Sequence, residues 1–228
     1  RALRSTLSTI APLVTGFSRH QGSLACDGVP LDEIARAVGT PVHVYSGAAI
    51  TDRYTRLERA VGAYPHRLHY ALKANATLAV VRLLRRLGAS ADANSGGEID
   101  VARRAGFAPA DIVFTGVGKT PAELDTAVTL GANAINAESP GEVARIAAIA
   151  AAHGTRARVA LRINPDVDAG SHKHISTGHN ATKFGVTPAE ALAMARDIAT
   201  RPSLQLVGLH VHIGSQVTAV EPLARAAA

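Results

Sequence analysis

Leu68-His69-Tyr70-Ala71-Leu72, Ala89-Ser90-Ala91-Asp92-Ala93, Asp111-Ile112-Val113-Phe114-Thr115 and Asn133-Ala134-Ile135-Asn136-Ala137 are four short runs of β type. Polar residues recur at their ends at a fixed interval: Lys73, Asn94, Thr115 and Asn136 stand 21 residues apart. That interval holds one strand, one helix and two short loops. Two further runs, residues 158–163 and 206–213, extend the series to six. Strands alternating with helices on such a period predict consecutive right-handed βα units around a parallel sheet. Equal units with no reversal of order favour a (β/α) barrel over a doubly wound sheet. The expected class is therefore α/β, with its chemistry on the loops that follow the strands.

The helices between the runs announce themselves by their punctuation. Thr120-Pro121-Ala122-Glu123, Ser139-Pro140-Gly141-Glu142 and Thr187-Pro188-Ala189-Glu190 each offer a capping hydroxyl, a proline at the first helical position and a glutamate to close a capping box. Apolar residues then follow at helical spacing, as in Leu124, Ala127 and Val128, or Val143, Ile146, Ala147 and Ala150. Gly131 and Gly154 suit the stops. An earlier helix should bury Val80, Val81, Leu83, Leu84 and Leu87 before Gly88.

Composition narrows the function classes. Of the 228 residues 47% are hydrophobic and 18% charged, enough apolar material for a packed core and incompatible with a disordered chain. No long uncharged apolar run is present to span a membrane, and no signal-peptide pattern is visible. The single cysteine, Cys26, excludes a disulfide framework and fits a reducing compartment such as the cytoplasm. The net charge of +6 comes mostly from arginines scattered along helices, with aromatics at only 4% and no tryptophan. A nucleic-acid partner would ask for clustered charge and stacking rings, so none is expected.

The strand ends hold the unusual residues. Lys73 closes an apolar run; in a low-dielectric rim its amine would be a nucleophile for a carbonyl, and otherwise it is a surface lysine. Asp92 is a possible counter-ion in the same mouth, beside the turn Asn94-Ser95-Gly96-Gly97. Gly116-Val117-Gly118-Lys119 is a weak phosphate-loop fragment without a Walker lysine–hydroxyl pair. Period-2 alternation aims Arg162 at the mouth, where a guanidinium would bind an anionic oxygen. The polar loop of residues 166–183 carries His172, His174 and His179, a metal-ligand set in residue type but with no supporting carboxylate geometry. His210 and His212 share one strand face. They read either as zinc ligands of a barrel hydrolase or as one imidazole stacked on a planar ring, with Gly214 and Ser215 donating to a phosphate. The second reading is preferred, and no metal is expected.

Together, Tyr70-Ala71-Leu72-Lys73-Ala74-Asn75, Leu161-Arg162-Ile163-Asn164-Pro165 and His210-Val211-His212-Ile213-Gly214-Ser215-Gln216 closely resemble the pyridoxal phosphate decarboxylases of the alanine racemase fold. Ser171-His172-Lys173-His174-Ile175-Ser176-Thr177-Gly178, Lys183-Phe184-Gly185 and the opening Gly39-Thr40-Pro41-Val42-His43-Val44-Tyr45-Ser46 are similar to the diaminopimelate decarboxylases within that family. The resemblance runs from about Gly22 to Gln216.

The resemblance implies pyridoxal 5'-phosphate as cofactor and Lys73 as the lysine that binds its aldehyde. His212 would stack on the pyridine ring, with Ser215 and the Gly214 backbone on the phosphate. Arg162 would stand by the ring hydroxyl and Asp92 by the lysine. The implied activity is decarboxylation of meso-2,6-diaminopimelate to L-lysine in a homodimer with shared sites. The implied fold is the eight-stranded barrel of this family plus a C-terminal β domain. Six strands are readable here, and the family's glycine-rich strand and Glu-Pro-Gly-Arg segment are not found. The expectation is an N-terminal portion, poorly active alone, with residues 1–46 as an N-terminal segment and 47–228 as a partial barrel.

Overall fold

The computed structural model describes residues 15–20, 22–165, 184–214 and 217–227. The chain divides into two compact units: the described residues up to Leu68 with Arg82–Ala89, and His69–Val81 with the described residues from Ser90 onward.

The first unit opens with three short strands, β1 (Phe17–His20), β2 (Ser23–Cys26) and β3 (Val29–Pro30), paired antiparallel in sequence order. Two helices follow, α1 (Leu31–Val38) and α2 (Gly47–Val61). Ser46 caps α2 by accepting from the Ala49 N–H at 2.9 Å while donating to Asp27 Oδ1 at 2.6 Å. These bonds tie the β2–β3 turn to the helix start, and the Ser46 hydroxyl holds the Asp27 carboxyl below its ordinary range.

The second unit carries six strands: β4 (His69–Ala71), β5 (Ser90–Ala93), β6 (Ile112–Phe114), β7 (Ala134–Ala137), β8 (Ala157–Ile163) and β9 (Leu204–Val211). They lie in the order β4-β5-β6-β7-β8-β9, every neighbouring pair parallel. The six runs read from the sequence are these six strands, with ends shifted by one or two residues. The helices between them are α3 (Leu78–Arg86), α4 (Gly96–Ala105), α5 (Pro121–Leu130), α6 (Pro140–Ala152) and α7 (Pro188–Thr200), with α8 (Glu221–Ala227) last.

Alternation along the strands separates two faces. Ala91, Ala93, Ile112, Phe114, Ile135, Ala137, Val159 and Leu161 are buried with Ile99, Leu124, Val143, Ile146 and Ile198 of the helices in one apolar core. The intervening residues, Asp92, Val113, Thr115, Ala134, Asn136, Arg158 and Ala160, line a cavity on the other face. A doubly wound sheet would bury both faces under helices. One helical face, one hollow face of mixed polar and apolar side chains and a strictly sequential order are barrel architecture.

Helix punctuation is largely as predicted. Thr120 and Thr187 close complete capping boxes with Glu123 and Glu190. Gly131 ends α5 in the left-handed region at φ +73°, where a side chain would be strained. Ser139 caps α6, accepting from Glu142 N–H at 3.2 Å, but the reciprocal half of its box is not made. Glu142 instead accepts from the Glu138 N–H at 2.9 Å and binds Lys119, because a buried ammonium needs a counter-charge more than a half-buried cap needs a second bond.

Candidate active site at the strand ends

Lys73 sits in a single 3-10 turn, Leu72–Ala74, directly after β4. Leu72 before it is fully buried and anchors that turn, while Lys73 itself is exposed at the rim. Of the two settings the sequence left open, a low-dielectric rim or an exposed position, the described residues give the exposed one. Asp92 is next door: its strand β5 pairs with β4, Ala71 lying opposite Asp92. Burial pushes the Asp92 carboxyl above the usual carboxylate range, opposed by a hydrogen bond from Thr115 and by the fields of Lys73 and His69.

Arg162 and His210 face each other across β8 and β9. Arg162 is 6% exposed and donates through one terminal nitrogen to Glu138 Oε1 at 2.5 Å. The Phe184 ring lies 5.5 Å from its guanidinium carbon. Phe184-Gly185-Val186 runs back against the end of β8, with Val186 N–H donating to the Arg162 carbonyl at 2.9 Å and Ile163 bridged to Val186. Burial and the nearby Arg162 charge hold the His210 imidazole down at a pKa of about 4. His212, just past β9, is also held below its ordinary value, by burial first and then by Lys73 and Arg162. The structure thus brings Lys73, Asp92, Arg162, His210 and His212 into one electrostatic neighbourhood. Gly214 follows with φ +134°, while Ser215 and the histidines of residues 172–179 lie outside the described residues.

A group with anionic or polar oxygens fits this neighbourhood. Arg162 Nε and His210 Nδ1 are buried nitrogens on adjacent strands without hydrogen-bond partners among the described residues. Such groups carry a desolvation cost until something binds them. Behind the rim, a cavity of about 440 Å³ is lined by Asp92, Thr115, Asn136 and His210 and extends toward the strand starts at Ala134 and Arg158. Among the described residues no group of three or more His, Cys, Asp or Glu side chains is placed to hold a metal ion.

The sequence reading missed the support beneath these residues. Thr115 Oγ1 donates to Asp92 Oδ1, and Asn136 Nδ2 donates to Thr115 Oγ1 at 2.8 Å. Lys119 is no phosphate ligand: its ammonium is buried between the Asn136 carbonyl oxygen at 2.6 Å and Glu142 Oε1 at 2.7 Å. The usable signal was the 21-residue period, which set Thr115 and Asn136 at equivalent strand ends.

Residues 47–228 match the family model described as pyridoxal-dependent decarboxylase, pyridoxal binding domain. The chain is 43% identical over 207 residues to diaminopimelate decarboxylase of Pseudomonas fluorescens, covering 90% of this chain and 50% of that protein. The structure of diaminopimelate decarboxylase from M. jannaschii in complex with L-lysine superposes with a TM-score of 0.83 at 34% identity, covering 92% of this chain and 50% of that one. The Helicobacter pylori diaminopimelate decarboxylase complexed with L-lysine gives a TM-score of 0.81 at 39% identity, over 86% of this chain and 50% of the other. This chain spans about half the length of the curated relatives it matches. No helix among the described residues is long and apolar enough to cross a membrane. By the match of its residues 47–228, the chain belongs to the pyridoxal-dependent decarboxylases and carries their pyridoxal binding domain.

Proposed function

We propose that this chain carries the cofactor-holding part of an enzyme that decarboxylates meso-2,6-diaminopimelate to L-lysine. The observation that supports this best is the convergence of Lys73, Asp92, Arg162 and His212 at one set of strand ends. It occurs in a chain 43% identical to a diaminopimelate decarboxylase.

Each residue has a task that follows from its setting. Lys73, exposed on an anchored turn, presents a primary amine to the cofactor aldehyde. Asp92 balances the lysine ammonium from the adjacent strand. His212, kept neutral by burial and two nearby cations, offers an uncharged imidazole face to the pyridine ring. Arg162 is fixed by Glu138, which leaves its Nε for an oxygen of the ligand. Gly214 and Ser215 are assigned to the phosphate from the resemblance. When bound, pyridoxal phosphate supplies a ring that accepts the electron pair left by departing CO2. The protein's part is to hold the amino-acid substrate so that the scissile bond stands across that ring, and to keep stray protons away. A homodimer with shared sites, working in the cytoplasm, completes the reading.

CO2 release tests it. Protein expressed from the complete coding sequence and supplied with pyridoxal phosphate should convert meso-diaminopimelate to L-lysine and leave L-ornithine and L-arginine untouched. Faster release from ornithine or arginine would overturn the substrate assignment.

A further inference from the structure

Asp92 does not stand alone beneath the rim. Its Oδ1 accepts from the Thr115 hydroxyl, and the Thr115 oxygen in turn accepts from Asn136 Nδ2 at 2.8 Å. A threonine hydroxyl has one hydrogen. A carboxylate can only accept, so that hydrogen goes to Asp92 and the amide must face Thr115 with its NH2 group. The direction of the relay is therefore set by chemistry. Asn136, 2% exposed, is held at its backbone by Lys119, whose ammonium donates to the Asn136 backbone carbonyl oxygen and is itself fixed by Glu142. Thr115 is held by its own N–H, which donates to the Ala93 carbonyl at 2.8 Å. Three successive strand ends and the start of α6 are thereby linked in one polar line that finishes on Asp92, opposite Ala71 at the end of β4.

We infer that Thr115, braced by Asn136, is a positioning residue that holds the Asp92 carboxylate at the strand end beside Lys73. This rests on the proposed role of the Lys73 rim as the cofactor site and adds to it two residues that act through Asp92. A purely structural role for the pair would be served as well by apolar side chains of the same shape, and would leave Asp92 indifferent to the hydroxyl. A positioning role makes the ionisation of Asp92 depend on that hydroxyl, which also opposes the upward push of burial on this group.

The test is a pH titration of the 228-residue chain labelled with 13Cγ-aspartate. The Asp92 resonance is assigned by its loss in Asp92→Asn. Thr115→Val keeps the shape and removes the hydrogen bond; the Asp92 midpoint should rise by about one unit or more. Thr115→Ser restores the hydroxyl and should return the midpoint to the wild-type value. If Thr115→Val does not fold, Thr115→Ala carries the same expectation with the same serine control. An unchanged midpoint in the variant lacking the hydroxyl would overturn the inference, as would an equal rise in Thr115→Ser. Borohydride trapping of pyridoxal phosphate on the wild-type chain separates the two claims. Loss of trapping at Lys73 counts against the cofactor site, whereas an unmoved titration with trapping intact counts against the relay.

Discussion

Replacing Glu142 with alanine should be among the most damaging single changes in this chain. The Lys119 and Glu142 side chains are 0% and 5% exposed, with Nζ and Oε1 2.7 Å apart. Glu142→Ala leaves a buried ammonium with only the Asn136 carbonyl oxygen and the Phe114 ring, whose centroid is 5.5 Å away. Stranding one charge of such a pair costs about 3–5 kcal/mol. The same change removes the acceptor of the Glu138 N–H, adding roughly another 1 kcal/mol. Domains of this kind are stable by only about 5–15 kcal/mol, so the loss is a large share of the whole. With a urea slope of about 2 kcal/mol/M, the midpoint should fall by about 2–3 M. Lys119→Met should cost nearly as much by stranding the carboxylate, yet Lys119→Met with Glu142→Leu should lie within about 2 kcal/mol of wild type. The assay is urea unfolding, with Glu142→Leu, Lys119→Met and their combination closing a double-mutant cycle on wild type and Glu142→Ala measured beside them. A Glu142→Ala cost below about 1 kcal/mol, or single effects that simply add, would refute the buried pair.

Three more outcomes follow from local geometry. A Cβ at Gly116 would be driven into the backbone carbonyl of Asn94, so Gly116→Ala should lower Tm by about 5 °C in a thermal melt. His210 is held at a pKa of about 4 against an ordinary 6.5, so the neutral ring is the native form. Its contribution is complete above pH 6.5 and is lost as the pH falls toward 4. His210→Gln should therefore flatten the stability profile across that window by roughly 1–2 kcal/mol once solvent screening is allowed for, as read by urea midpoints at stepped pH. Thr187→Ala removes the α7 cap and should cost about 1 kcal/mol by the same measurement, Thr187→Ser much less.

The barrel was legible because its signals are local. A hydroxyl, a proline and a glutamate mark three helix starts, and a 21-residue period needs no tertiary information to be seen. Arg162 was legible as a mouth residue because period-2 alternation fixes which face it takes. Lys119 was not, because its partner Glu142 looked like the third position of a capping box, and sequence spacing cannot say which of two buried demands a carboxylate will meet. The Asp92–Thr115–Asn136 line was invisible for a similar reason. Each residue is ordinary at a strand end, and only the parallel register sets the three side by side. For Lys73 the sequence left a low-dielectric rim and an exposed surface both open, because only the 3-10 turn anchored by buried Leu72 decides how far the lysine stands from the core.

Borohydride reduction of the chain incubated with pyridoxal phosphate, followed by peptide mapping, tests the Lys73 site most directly. The label is expected on Lys73, absent from the Lys73→Ala variant, and absent from the buried Lys119. A label carried by Lys173 or Lys183 with none on Lys73 would contradict the assignment of this rim as the cofactor site.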